Sequence, residues 1–158
     1  MTNGPRSHSS SGITLQLIIQ GSQLALTVVN SSNQELRIWE WHNSWGWYSL
    51  TFELRLDDDL RVTIGHKARE WTKNGPDYFD LAPNESREVS LDLHDGWWGL
   101  VGADQERLAQ AGWRDEPVRL RARLQISSTP ESDRLGTFTG AVYSEWTTSR
   151  PPNDWLNV

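Results

Sequence analysis

The chain has 158 residues, the length of one ordinary domain, and its 36% hydrophobic and 23% charged residues are typical of a globular protein. Its 15 basic and 21 acidic residues give a formal net charge of -6, which disfavours nucleic acid as a partner because most of the surface repels phosphate. The absence of cysteine excludes disulfide bonds and thiol chemistry.

Two polar tails are expected to flank a single domain. Residues 1–12 lack the apolar centre of a signal peptide, and no segment approaches the roughly 20 apolar residues of a membrane span. We therefore expect a cytoplasmic protein without membrane contact. Its flexible tails would be residues 1–12 and 149–158, around a domain at 13–148.

Apolar and polar residues alternate along the first half of the chain, which is the pattern of strands with one buried face. The segments "ITLQLIIQ" and "LALTVVN" form a predicted hairpin around Gly21 and Ser22. In "YSLTFELRL", one face collects the apolar residues Leu50, Phe52, Leu54 and Leu56. Residues 65–76 are polar and without a period, and they are predicted to form a loop.

The second half continues the alternation in "SREVSLDL", "PVRLRARLQI" and "GTFTGAVYSEWTT". Only residues 103–112 have helical propensity, and Gly112 ends that segment after one or two turns. We predict an all-β fold, an immunoglobulin-like antiparallel β-sandwich of about 7–9 strands with long Trp-rich loops and at most one short helix. A barrel is disfavoured because the predicted loops differ in length.

Two turns carry a resemblance to a known group of domains. The turn "VNSS" follows the second predicted strand, and "LAPNES" occupies a position where such domains commonly have L-x-P-G-E. With the order of strands between Ile13 and Thr147, these turns make the chain similar to bacterial immunoglobulin-like sandwich domains, which include the intracellular proteinase inhibitor family. The resemblance implies a β-sandwich that binds another protein, with a proteinase as the narrower expectation for the partner.

Four of the ten tryptophans lie in "WEWHNSWGWY", residues 39–48. Alternation along a strand places Trp39 and Trp41 on one face, and we expect one or the other to be a core residue. Trp45 and Trp47 flank Gly46 in a predicted loop, where large rings are harder to bury. They are therefore candidate contacts for a ligand or a partner.

A second aromatic group lies in the later loops and consists of Trp71, Tyr78, Phe79, Trp97 and Trp98. Consecutive side chains point apart along a strand, so one of Trp97 and Trp98 must face outward or pack under a loop. If these loops share one end of the sandwich with "NSWGW", the rings form one aromatic rim. Such a rim can hold an extended peptide, stack on sugars or pack a second subunit, unless it only seals the loops to the sandwich.

Three arginines, Arg119, Arg121 and Arg123, alternate with the inward residues of one predicted strand and so lie on its outer face. They could receive carboxylates of a partner. The simpler interpretation is that they pair with glutamates of a neighbouring strand, for which Glu53 and Glu145 are available.

Residues 57–59 are three consecutive aspartates that could hold calcium with oxygens from Asp77 and Asp80, although a solvated turn is the simpler interpretation. The four histidines lack the HxxxH or HxH spacing of metal ligands, and His94 with Asp95 is the only adjacent His/Asp pair. No nucleophile elbow or phosphate-binding glycine loop is present. We predict no catalytic residues, no metal and no cofactor.

The sequence thus favours a non-catalytic protein-interaction module that binds through aromatic loops. The candidate binding residues are Trp45, Trp47, Trp71, Trp97, Trp98, Arg119, Arg121 and Arg123. Two alternatives stay open. One is a carbohydrate-binding module that uses the loop tryptophans as stacking platforms, and the other is a small β-fold cyclase or isomerase with a Trp-lined pocket.

Overall fold

The computed structural model describes residues 12–56, 60–101, 105–113 and 115–151. The elements in these ranges are β1 (Ile13–Gln20), β2 (Gln23–Asn30), β3 (Leu36–Trp39), β4 (Leu50–Arg55), β5 (Arg61–His66), β6 (Tyr78–Leu81), β7 (Ser86–Asp92), β8 (Trp98–Val101), α1 (Gln105–Gln110), β9 (Val118–Ile126), α2 (Pro130–Leu135), β10 (Gly140–Tyr143) and β11 (Thr147–Ser149). The predicted all-β fold is confirmed.

The strands form three antiparallel sheets. The first has the order β1-β2-β7, and the second, larger sheet has the order β10-β9-β4-β5-β8, with β11 also paired to β9. A small third sheet joins β3 to β6. The predicted hairpin of the first two strands is present, with Ile13 opposite Asn30 and Gln20 opposite Gln23.

The two larger sheets share one hydrophobic core, as a sandwich-like arrangement requires. Each sheet buries the inward residues of its alternating strands: Leu15, Leu17, Leu24, Leu26 and Val28 from the first, and Phe52, Leu54, Ile64, Leu120 and Leu124 from the second. A polar contact also links the two sheets, because the Thr147 hydroxyl donates to the Leu17 carbonyl at 3.1 Å.

Two details differ from the sequence prediction. The described residues contain eleven strands where about 7–9 were expected, because several strands are only three or four residues long. They also contain a second helix, α2. Its sequence has no long apolar period, but residues that favour the start and the end of a helix lie at its two termini. Thr129 caps its N-terminus by accepting from the Ser132 N–H, Pro130 begins it, and Gly136 ends it with φ of 66°.

The two turns that carry the family resemblance meet in space. Asn30 is fully buried, and its side-chain amide donates to the carbonyls of Gln34 at 2.7 Å and Leu81 at 2.8 Å. Its backbone carbonyl accepts from the Asn84 N–H at 2.9 Å. Asn84 has φ of 65°, a left-handed conformation that asparagine and glycine adopt most readily. Asn30 therefore joins "VNSS" to "LAPNES".

Within the described part of the chain, no helix combines the length and the apolar character that crossing a membrane requires. The predicted tails lie outside the described residues, apart from Gly12 and residues 149–151.

Candidate functional site

His66 lies between two indole rings at one end of the larger sheet. It is the last residue of β5 and pairs with Trp98, the first residue of β8. The centroid of its ring is 3.9 Å from that of Trp47, with the planes inclined by 13°, and 3.8 Å from that of Trp98. Nδ1 donates to the backbone carbonyl of Trp47 at 2.5 Å, which places the proton of the neutral imidazole on Nδ1.

The pKa of His66 is lowered from its usual value. Desolvation between the indoles is the main cause, because it disfavours the imidazolium cation. The hydrogen bond to the Trp47 carbonyl and the charge of Asp95 act more weakly in the opposite direction. At neutral pH the ring is therefore an uncharged part of the aromatic stack.

We expect acid to destabilise the protein through His66. The unfolded imidazole binds a proton near its usual pKa of about 6.5, whereas the folded one binds it only at lower pH. The contribution of His66 to the free energy of unfolding is therefore complete above about pH 6.5 and is lost as the pH falls toward the folded-state pKa.

The variant His66→Phe tests this role, because phenylalanine keeps a flat ring but cannot titrate. Denaturant unfolding between about pH 8 and pH 5 should show a smaller loss in the variant than in the wild type, and equal losses would contradict this role.

Beyond His66, the chain places Arg69 among three indole rings. Trp71 and Trp97 both meet Trp47 edge-on, with centroid distances of 5.4 and 5.8 Å and interplanar angles of 78° and 82°. The guanidinium carbon of Arg69 lies 4.7 Å from the Trp71 centroid, 5.1 Å from that of Trp97 and 5.4 Å from that of Trp47. All three distances are within cation–π range. We call these four residues the Arg69 cluster.

Backbone hydrogen bonds hold the segments of the Arg69 cluster together. The indole N–H of Trp47 donates to the Lys67 carbonyl at 3.0 Å, and the Lys67 N–H donates to the Trp97 carbonyl at 2.7 Å. The Trp97 N–H donates to Oδ1 of Asp95 at 2.8 Å. These bonds tie the segments of Trp47 and Trp97 to each other, and Trp71 contacts them through its edge-on packing with Trp47.

The cluster presents a cation to solvent. Arg69 is exposed, and no carboxylate in the described ranges forms an ion pair with it. Trp97 is 42% exposed. The indole nitrogen of Trp71 is buried and has no hydrogen-bond acceptor among the described residues. A cation and an apolar ring therefore lie side by side on one surface.

The tryptophan predictions are partly confirmed. Trp39 and Trp41 are both core residues, at 2% and 7% exposure. The expectation that Trp47 would be hard to bury is wrong, because it is only 5% exposed. Its ring is covered by His66 on one face and by the two edge-on indoles. Trp45 is partly buried and packs on Trp39 at a centroid distance of 5.6 Å.

The two consecutive tryptophans face different ways, as predicted. Trp97 is exposed, whereas Trp98 is 3% exposed and packs against Phe52 at 5.4 Å. The aromatic loops meet at Trp47, Trp71 and Trp97. Tyr78 and Phe79 instead lie on β6, where Phe79 packs against Trp41 at 5.4 Å and Arg37 covers the Tyr78 ring.

The three arginines of β9 do not act as one ladder. Arg121 forms an ion pair with Glu53, its neighbour on β4, at 2.6 Å, and this is the simpler of the two interpretations made from the sequence. Its guanidinium also covers the rings of Tyr143 and Trp146. Arg123 donates to the side-chain oxygen of Gln125. Arg119 also has an interaction partner in the structure.

The candidate metal ligands do not assemble into a site. Residues 57–59 lie outside the described ranges. Asp80 is engaged by Arg37 at 2.8 Å, and Asp77 accepts from the Tyr78 N–H at 3.0 Å. Asp95, next to His94, holds the Trp97 loop. In the described part of the chain no three His, Asp or Glu side chains are grouped as metal ligands would be.

A small cleft of about 220 Å³ opens beside His66 and involves both larger sheets. Trp41 and Trp47 line it together with Glu40 and Arg87, which form an ion pair at 2.6 Å. Glu40 is only 13% exposed, so its charge is neutralised within the protein.

Sequence reasoning missed Arg69 and His66. Both lie within the polar segment 65–76, which was predicted to be a loop. Their neighbours, Trp47 and Trp97, are far away in the sequence. The pairing of β5 with β4 on one side and with β8 on the other brings them together. The local sequence around Arg69, "HKAREW", contains no signal for this arrangement.

The sequence matches no protein-family model and no curated protein. The geometry of the site is therefore the basis for a functional proposal.

Proposed function

We propose that the protein is a non-catalytic protein-interaction module and that the Arg69 cluster is its contact surface. The observation that carries this proposal is the exposed guanidinium of Arg69, held against three indoles without an ion-pair partner in the described residues. Tryptophan and arginine are the residue types most enriched at the energetic centres of protein interfaces. The cluster places both types on one rigid surface.

The chemistry of the cluster indicates what the partner offers. A guanidinium recognises a carboxylate through two parallel hydrogen bonds, and Arg69 is already ordered by its ring contacts. Ordering the side chain before binding reduces the entropy cost of association. We infer an acidic side chain on the partner, next to an apolar group that covers Trp97. That the partner is a proteinase remains a prediction, which rests on the resemblance to the intracellular proteinase inhibitor family.

We also propose the immunoglobulin-like class for the fold. The sheet orders β1-β2-β7 and β10-β9-β4-β5 correspond to the A-B-E and G-F-C-C′ strands of such domains. The joined "VNSS" and "LAPNES" turns add to this support. Proteins of this class commonly bind partners through the loops at the ends of their sheets.

The two alternative functions have less support. Of the loop tryptophans that would serve as sugar platforms, Trp47 and Trp98 are 5% and 3% exposed and offer no open ring face. The Trp-lined cleft beside His66 has about 220 Å³, below the roughly 300 Å³ at which ligand pockets usually begin. A cyclase or isomerase site in that cleft is therefore disfavoured.

Capture from a lysate of the native cell, followed by quantitative mass spectrometry, tests the proposal. Proteins that are enriched on the wild type should be recovered at levels lower by roughly tenfold or more on Arg69→Ala and Trp97→Ala. Truncating a residue at the energetic centre of an interface costs about 2 kcal/mol or more of binding free energy. Arg69→Lys should retain only part of the binding, since lysine keeps the charge but loses the planar pair of donors.

The matched control is Arg134→Ala, which removes another exposed arginine, on α2. It should capture the same proteins as the wild type. If Arg69→Ala recovers every protein that the wild type does, or if nothing is enriched on the wild type, the Arg69 cluster is not an interaction surface.

A further inference from the structure

A second cleft, of about 360 Å³, opens beside β3, the loop that follows it, and the strands β4 and β9. Its aromatic and polar lining includes Trp39, Trp45, Tyr48, Thr51, Arg123 and Gln125. None of these residues belongs to the Arg69 cluster. The volume lies within the roughly 300–1,000 Å³ that small-molecule sites occupy.

One wall of this cleft is aromatic and held in place. Trp45 packs on the buried Trp39 with the planes inclined by 33°, and its backbone N–H donates to Oδ1 of Asn43 at 3.0 Å. Tyr48 lines the same cleft and is 56% exposed. Rings that are fixed before binding suit a ligand with a flat apolar face, because little side-chain freedom is lost.

Two residues that line the cleft, Trp45 and Arg123, carry buried hydrogen-bond donors. Nε of Arg123 and the indole nitrogen of Trp45 are both buried, and neither has an acceptor among the described residues. A buried donor without an acceptor costs free energy, so a ligand whose acceptor reaches either group from the cleft would gain affinity.

The positive charge of Arg123 is also left without a carboxylate in the described ranges. Arg121, two residues earlier on the same strand, is paired with Glu53 at 2.6 Å. At the equivalent place beside Arg123, β4 offers Thr51. The fold therefore pairs Arg121 with a carboxylate, whereas Arg123 has neutral partners in the described residues, the Gln125 oxygen and the Tyr143 ring at 5.7 Å.

We propose that this cleft binds a small organic acid in which a carboxylate is attached to a ring. The carboxylate would accept hydrogen bonds from the Arg123 guanidinium and the Trp45 indole N–H. The face of the ring would pack on the aromatic wall. Ligand hydroxyl groups, where present, would meet Gln125 and Thr51. This site is separate from the proposed protein-interaction surface and stands without it.

Isothermal titration calorimetry on the full chain tests the site with glucuronate and benzoate, which carry a carboxylate on a saturated and an aromatic ring. At least one of them should bind, and it should bind roughly tenfold or more tightly than acetate, which has no ring, and glucose, which has no charge. If glucuronate alone binds, the ligand belongs to the sugar acids. If benzoate alone binds, the ligand belongs to the aromatic acids.

Arg123→Gln should weaken binding of the ring acid by roughly tenfold to hundredfold, because it removes the charged donor. Trp45→Phe keeps an aromatic ring but removes the indole N–H, and it should weaken binding severalfold. Arg119→Gln removes a charge from the same outer face of β9 and should leave the affinity unchanged. Circular dichroism of each variant separates loss of binding from loss of fold.

The proposal is overturned if neither ring acid binds at about 10 mM, or if inorganic phosphate binds as tightly as the ring acids. It is also overturned if folded Arg123→Gln and folded Trp45→Phe both bind as the wild type does. Loss of binding in both variants, with Arg119→Gln unaffected, supports it.

Discussion

Trp47→Ala is expected to lower the free energy of unfolding by about 3–5 kcal/mol, the usual cost of truncating a large buried ring. The side chain is 5% exposed and stacks on His66 at 3.9 Å. Its indole N–H also donates to the Lys67 carbonyl at 3.0 Å, and alanine leaves that carbonyl without this donor. Because small domains are stable by only about 5–15 kcal/mol, a loss of this size removes much of the stability.

Urea unfolding, followed by circular dichroism, measures the change. The matched control is Trp97→Ala, which removes the same kind of side chain from the same cluster at a position that is 42% exposed. It should cost about 1 kcal/mol or less. If both variants lost an equally small amount of free energy of unfolding, Trp47 would not be a core residue of the folded protein in solution.

Trp47 therefore has two roles that mutation cannot separate. It is part of the core, and it is also the ring on which Trp71 and Trp97 stand edge-on around Arg69. A loss of partner binding in Trp47→Ala would follow from unfolding alone. Arg69 and Trp97 are exposed, so they are the positions at which binding can be tested without losing the fold.

The strands could be predicted from the sequence because their signal is local. In β4 every second residue is apolar, and the structure buries Leu50, Phe52 and Leu54 while the residues between them are half-buried. Burial of one face follows directly from such alternation, without knowledge of the neighbouring strand. The same reasoning placed Trp39 or Trp41 in the core, and the structure buries both.

The candidate site could not be predicted because its geometry is not local. Trp47 was assigned to an exposed loop next to a glycine, and its burial depends on His66, 19 positions later, and on the return of the chain at Trp97. Arg69 had no periodic pattern around it. Which arginine of β9 is neutralised depends on the register with β4, where Glu53 faces Arg121 and Thr51 faces Arg123. Residue type alone does not determine that register.

Gly46→Ala is expected to lower the free energy of unfolding by about 3 kcal/mol, the upper end of the usual cost of overpacking, or by more. A β-carbon at this position would lie 2.2 Å from the carbonyl oxygen of Glu40 and 2.7 Å from its carbonyl carbon. Both are backbone atoms, so no side-chain rotation relieves the contact.

The turn around Gly46 also resists a shift of the backbone. The Gly46 carbonyl accepts from the N–H of Ser49 at 3.0 Å and from its hydroxyl at 2.7 Å, and the Trp47 N–H donates to the Asn43 carbonyl at 2.9 Å. Any movement that makes room for a methyl group strains these bonds. It also displaces the adjacent residues Trp45 and Trp47, one at each aromatic site.

Gly75→Ala is the matched control, because a β-carbon there would meet no atom within 4 Å. Urea unfolding should find that variant within about 0.5 kcal/mol of the wild type, or slightly more stable, since alanine restricts the unfolded chain. Gly46→Ala should be much less stable and should also show altered tryptophan fluorescence, because the rings on both sides of residue 46 must move. Equal stability of the two variants would mean that the loop at residues 40–46 is not packed this closely in solution.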